Sequence, residues 1–136
     1  MKKEFSSGWK RSVQPRKQRK YRYNAPLNVK HRFLSAHLSK EMRARHGGAR
    51  SIPLRKGDIA KVMRGQFKKK AGAVERVDLK KTKVYIAGIE IIKKDGSKIM
   101  YPLDPSNLMI TDLNLDDKKR QKILERKKRP LDKVKK

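Results

Sequence analysis

A chain of 136 residues with 40 Lys or Arg against 13 Asp or Glu carries a formal charge of +27 and has no cysteine. A compact body so charged repels itself, which implies a polyanionic partner, and the regularly spaced phosphates of nucleic acid fit best. Disulfides and thiolate metal sites are excluded, no run reaches the roughly 18 apolar residues of a membrane span, and no amphipathic helix of useful length is available for a membrane surface.

Charge and apolar residues divide the chain differently. Residues 1–56 hold 17 Lys or Arg against two acids, residues 57–112 hold 12 against seven, and residues 113–136 hold 11 against four. The aliphatic residues concentrate in the middle, so the reading is one small domain with basic extensions. We expect a basic arm at 1–24, short helices at 25–50, a β domain at 51–112, and a basic C-terminal helix and tail at 113–136. The first ten residues have no apolar run for a signal peptide, which predicts a cytosolic or nuclear protein.

In chain order, residues 10–24 have almost no aliphatic side chains and predict disorder unless bound. Pro26 opens a short helix through Asn28–Leu34. Ser39 is placed to cap Lys40–His46, with Gly47 as the stop. Strands follow at Ile59–Arg64, Ala73–Leu79 and Lys83–Lys93, the last with Gly88 inside it as a bulge or sharp bend. Lys94-Asp95-Gly96-Ser97 carries the Asp-Gly signal of a tight hairpin into Lys98–Tyr101, and Asn107–Thr111 closes the series. Five short strands in so small a domain suit a closed barrel better than an open sheet, because closure removes edges. Asp116 and Asp117 suit the start of a helix over Lys118–Arg129, ended by Pro130.

Two segments carry binding chemistry. Gln14–Asn24 interleaves the cations Arg16, Lys17, Arg19, Lys20 and Arg22 with Tyr21 and Tyr23, a pattern for pairing phosphates and stacking on splayed bases. Gly65 and Gly72 flank a loop with Lys68, Lys69 and Lys70 between two strand-like runs. Glycine allows close approach to a sugar–phosphate chain, and the lysines supply phosphate contacts. A localisation signal or a solvated hairpin tip would share these compositions.

Catalysis finds no support. Asp58 and Asp78 flank strands, Glu90 reads as a surface strand residue, and Asp104 lies in a Pro-bounded turn, so no acid pair has a catalytic spacing. His31, His37 and His46 lie among basic residues without a carboxylate at metal spacing. Gly65–Gly72 lacks the Gly-Lys-Ser/Thr ending of a P-loop. No enzyme, metal, cofactor or small-molecule substrate is expected.

The segment Lys56–Gly88 looks like a KOW motif, the strand–loop–strand element of a small SH3-like barrel. Around it stand Gln14-Pro15-Arg16-Lys17-Gln18-Arg19, Asn24-Ala25-Pro26-Leu27, Leu34-Ser35-Ala36-His37-Leu38-Ser39-Lys40-Glu41, Val62-Met63-Arg64-Gly65, Pro105-Ser106-Asn107 and Ile110-Thr111-Asp112-Leu113. That co-linear series, over roughly residues 13 to 126, resembles the large-subunit ribosomal protein family numbered twenty-four universally and twenty-six in eukaryotes, in its archaeal and eukaryotic form. The resemblance implies a mainly β fold: a five-stranded SH3-like barrel with a basic N-terminal arm containing short helices and a short C-terminal helix. It also implies a structural protein of the ribosome, cytoplasmic, bound to large-subunit rRNA and neighbouring ribosomal proteins, active early in subunit assembly and lying near the nascent-peptide tunnel exit. Carried onto this sequence, the RNA contacts are the arm residues Arg16–Tyr23, then Arg32, Arg43 and Arg45, and the loop residues Arg64, Gly65, Phe67, Lys68, Lys69, Lys70 and Gly72. The family usually has a glycine where this chain has Lys69. Residues 1–12, Trp9 among them, match nothing in the family pattern. A KOW-bearing transcription elongation factor would need a further α/β domain that residues 1–50 lack the aliphatics to build. A chromatin protein would account for the charge and not for the ordered series.

Overall fold

The computed structural model describes residues 5, 6, 8, 9 and 12–127. Helix α1 (Pro15–Asn24) runs where composition predicts an unstructured arm. Pro15 stands in its first turn with φ preset for helix, and the Arg, Lys and Gln that follow are good helix formers. Pro26 ends it, because the residue before a proline is pushed out of the helical region, and Ala25 is extended (φ −61°, ψ 135°). Helix α2 (Leu27–Phe33) matches the expected helix less its last residue, since Leu34 leaves the helix and is wholly buried.

Two strands follow that local sequence does not announce. β1 (Ser35–Leu38) alternates, with Ala36 and Leu38 inward. Helix α3 (Lys40–Arg45) begins at Ser39, whose Oγ accepts the Met42 N–H at 3.2 Å, and Gly47 follows in the left-handed region (φ 62°), as the pattern predicts. β2 (Ser51–Pro53) pairs antiparallel with β1 and carries a proline, which an edge strand tolerates. Then come β3 (Ile59–Val62), β4 (Ala71–Asp78), β5 (Lys83–Ile86), β6 (Glu90–Ile92), β7 (Lys98–Met100), a 3-10 turn (Pro105–Asn107), β8 (Leu108–Asp112) and α4 (Lys118–Lys127). The expected strand Lys83–Lys93 is broken in two at Gly88 (φ 75°), and the Asp-Gly turn joins β6 to β7 with Gly96 at φ 83°. The expected end of the last helix at Arg129 lies outside the described residues.

Six strands form one sheet in the order β2-β1-β8-β3-β4-β5, and β6-β7 is a separate hairpin. β1 and β8 run parallel, the other pairs antiparallel. The sheet is open, ending at β2 and β5, and so differs from the closed five-stranded barrel expected. The reason lies outside the predicted strands: β1 pairs with β8 and adds β2, extending the sheet on the side where a barrel would close. A single bridge between Val84 and Leu103 turns the following chain back across β5.

The core also crosses the expected domain line at residue 51. Leu34, Leu38 and Met42 join Ile52, Leu54, Val62, Val84, Ile86, Leu108 and Ile110 in one cluster, with Leu124 of α4 closing it. Residues 25–50 are therefore part of the packed body. Arg120, 2 % exposed, sits one turn before Leu124 on the same face of α4. Its two terminal nitrogens reach the two carboxylate oxygens of Asp58, itself fully buried, at 2.6 Å each. Asp58 also accepts the backbone N–H of Arg55 (2.8 Å) and Asn114 (3.1 Å). Arg120 also donates to the carbonyls of Asn114 (2.7 Å) and Pro53 (3.2 Å). In the linear sequence Asp58 merely flanks a strand; the fold makes it the anchor of α4.

Candidate nucleic-acid interface

The loop between β3 and β4 is held by its own backbone. Lys69 N–H donates to Val62 O (2.9 Å), Val62 N–H to Lys70 O (2.8 Å) and Lys68 N–H to Gly65 O (3.0 Å). Gly65 has φ 88°, and Lys69 has φ 75°, a left-handed conformation that costs a side-chain-bearing residue about 1–2 kcal/mol. Lys69 thus keeps the left-handed backbone that a glycine would adopt without strain. Phe67 leans on Tyr101 with ring centroids 5.1 Å apart, and Lys70 Nζ lies 5.3 Å from the Phe67 centroid. The loop's aromatic is therefore engaged inside the protein, while Arg64, Lys68 and Lys69 project into solvent.

Gly72 has a different reason from the one its position suggests. Its φ is not positive, and a Cβ there would stand 2.6 Å from Ala87 O and 2.9 Å from the Ile86 side chain. Glycine is required for β4 to lie against the end of β5, and that requirement needs no RNA.

On α1, Arg16, Lys17, Arg19 and Lys20 are exposed. Tyr21 is half-buried in a ring cluster: 4.4 Å from Trp9, 4.9 Å from Phe5 and edge-on to Phe33 at 6.2 Å. The Arg22 guanidinium lies 5.4 Å over Phe33. These ring contacts supply the apolar anchorage that residues 10–24 lack by themselves, which is why the arm is helical here. Tyr23 points outward, 82 % exposed, with Lys30 Nζ 5.7 Å over its ring. Arg32 and Arg45 are exposed, whereas Arg43 is half-buried and its Nε donates to Leu38 O at 2.9 Å, bracing the end of β1.

Among the described residues, the ion pairs engage Arg55 with Asp117, Lys83 with Asp104 and Arg120 with Asp58. None of the expected RNA-contacting cations is among them, and those that are exposed, which excludes the half-buried Arg43, carry their charge into solvent with no acid paired to it. α1 and the loop are positioned by different parts of the fold: α1 is stapled to α2, which packs by edge strand β2, and the loop belongs to the β3–β4 hairpin.

A third basic surface has no counterpart in the sequence reading. A groove of about 490 Å³ is lined by His31, Arg55, Lys56 and Arg76 over a floor of Leu54, Val77 and Leu79, with Glu75 at its side. The Arg76 guanidinium carbon lies over Tyr85, 4.6 Å from its ring centroid. Burial, then the charges of Arg55 and Arg120, hold the His31 pKa below the usual imidazole value. His37 is lowered likewise by burial and by Arg43 and Arg50. The groove's polar lining comes from three separate segments, at His31, Arg55-Lys56 and Arg76, so no run or spacing could mark it. No group of three or more His, Asp or Glu is placed to hold a metal among the described residues, and none of the described helices is long and apolar enough to cross a membrane.

Comparison with known proteins gives the site its context. Residues 12–127 match the family model of the ribosomal proteins numbered L26 in eukaryotes and L24 in archaea. The chain is 47 % identical over 116 residues to the large ribosomal subunit protein uL24 of Methanosphaera stadtmanae, covering 85 % of this chain and 98 % of that one. The chain belongs to this family of large-subunit ribosomal proteins, structural constituents of the ribosome in the cytoplasm rather than enzymes.

Proposed function

We propose that the protein binds large-subunit rRNA through the β3–β4 loop and the α1–α2 surface together, clamping RNA between a rigid tip and a helical arm. The observation that carries this reading is the set of solvent-facing cations, Arg16, Lys17, Arg19 and Lys20 on α1 and Arg64, Lys68 and Lys69 on the loop, that no acid of the described chain neutralises. Phosphate contacts of this kind release counterions, so affinity falls steeply with salt, while shape and 2′-hydroxyl contacts add selectivity. Tyr23 is the exposed aromatic of the arm and offers its ring for stacking, while Tyr21 stays in the ring cluster with Trp9. Arg32 and Arg45 extend the arm's surface, and the groove at Arg55, Lys56 and Arg76 adds to it. Arg43, Phe67 and Gly72 act chiefly by holding the fold that presents these groups.

The family context extends the proposal: contact with neighbouring ribosomal proteins, action early in subunit assembly, and a position near the nascent-peptide tunnel exit. We also read β3, β4, β5 and β8 as a KOW-type, SH3-like element left open at β5, on the support of the bridge that folds the chain back over that strand. The test is binding of a large-subunit rRNA fragment over a salt series. Replacing Lys68, Lys69 and Lys70 by alanine should lower the log–log salt slope by about 2 to 3, at roughly 0.7–0.9 for each phosphate no longer neutralised. An unchanged slope removes the loop from the interface.

A further inference from the structure

We infer that the recess beside Trp9 and Tyr21 is a nucleobase slot, taking one unpaired base of single-stranded RNA. This rests on the RNA-binding reading and assigns a role to a segment outside the family pattern.

The recess holds about 170 Å³ and is lined by Ser6, Trp9, Lys17, Lys20 and Tyr21. Its volume is several times the ~30 Å³ that one water takes in the liquid. Lys17, Lys20 and Tyr21 share one face of α1, being three and four positions apart. The two rings lie 4.4 Å apart at 31°, and Phe5 and Phe33 back Tyr21 from other sides. The ring pile is thus preassembled, and its open side is flanked by two exposed lysines. An apolar partner chain would have to bury both ammonium groups beside its own surface, which is costly without acids. A nucleotide meets the same lining without that penalty: its base extends the ring pile, its phosphates face Lys17 and Lys20, and the Ser6 hydroxyl faces the base edge. Every base has a π face, so such a slot reads an unpaired nucleotide with little sequence preference.

Trp9 is the chain's single tryptophan, so it reports on its own slot. Tryptophan emission of the full chain is titrated with a single-stranded oligoadenylate and, in parallel, with inorganic polyphosphate of matched charge. Binding of each is followed separately by competition against a labelled rRNA fragment. Saturable quenching by the oligonucleotide, with polyphosphate binding but leaving emission unchanged, is the expected result. Trp9→Leu should weaken oligonucleotide binding about 5- to 150-fold, as removal of one stacking partner does, with far-UV circular dichroism checking that α1 persists. Lys17→Ala with Lys20→Ala should shift half-quenching to higher oligonucleotide concentration and reduce its salt dependence. Equal quenching by polyphosphate would mean that charge rearranges the arm and would overturn the slot. Oligonucleotide binding without quenching also overturns the slot while leaving the RNA-binding reading intact, and failure of all RNA binding overturns both.

Discussion

Replacing Arg120 by methionine isolates the contact that docks α4. In the native fold Asp58 is wholly buried, and its carboxylate is met by two Arg120 nitrogens at 2.6 Å and by two backbone N–H groups. Methionine keeps most of the volume and the helix propensity but leaves a buried carboxylate with only the two backbone donors. Removing one partner of a buried pair costs about 3–5 kcal/mol, because the remaining charge is uncompensated. Domains of this size have only about 5–15 kcal/mol to lose. The assay is urea unfolding followed by circular dichroism at pH 7 in sulfate buffer, which strengthens burial. Asp58→Ala completes a double-mutant cycle, in which the pair variant should be less destabilised than the sum of the singles by up to about 3 kcal/mol. Arg120 is a strut rather than a phosphate contact, so the folded variant should keep the native salt slope for rRNA-fragment binding. A cost below about 1 kcal/mol, or additive single costs, would refute the anchoring role.

Other positions give independent checks. Lys69→Gly relieves a left-handed backbone and should raise stability by about 1 kcal/mol in the same assay, while removing one loop cation and so weakening RNA binding. Gly72→Ala should cost about 1–3 kcal/mol by forcing β4 from Ala87 O, and hydrogen exchange should show faster opening along β4–β5. His31 and His37 are held below the imidazole range in the folded chain, so the unfolded chain protonates first as pH falls. Their contribution is complete above about 6.5 and is lost as pH drops through the folded values, so the urea midpoint should be lower at pH 5.5 than at 7.5, and His31→Asn should flatten that difference. Asp117 is held below the usual carboxylate range by the Arg55 hydrogen bond first and the Lys119 N–H next, so the start of α4 should stay docked as pH falls through about 4 and loosen only below it. Nuclear magnetic resonance titration of its carboxyl carbon, against Arg55→Ala, reads this directly.

Some of this architecture is legible in the linear chain because its cause is local. The Asp95-Gly96 turn, the Ser39 cap with Gly47, the break at Gly88 and the start of α4 at Asp116 and Asp117 are each decided by residues within a few positions of one another. The loop lysines and the cations of α1 are legible as charge runs, and the ordered segments from Gln14 to Leu113 carry the family. β1 and β2 escape such reading: four residues without a β-branched side chain, and three with a proline, become strands because β8, some 70 residues later, offers β1 its free edge. Asp58 and Arg120 are likewise 62 residues apart, and Arg120 is one cation within a basic run. The helicity of α1 depends on Trp9, Tyr21 and Phe33 meeting across a turn at Pro26. Composition by itself points towards a polyanionic partner, since charge sums over the chain without regard to fold. Which cations are presented to that partner, which are engaged internally, and whether the sheet closes are decided by contacts between distant segments, and only the tertiary structure holds those.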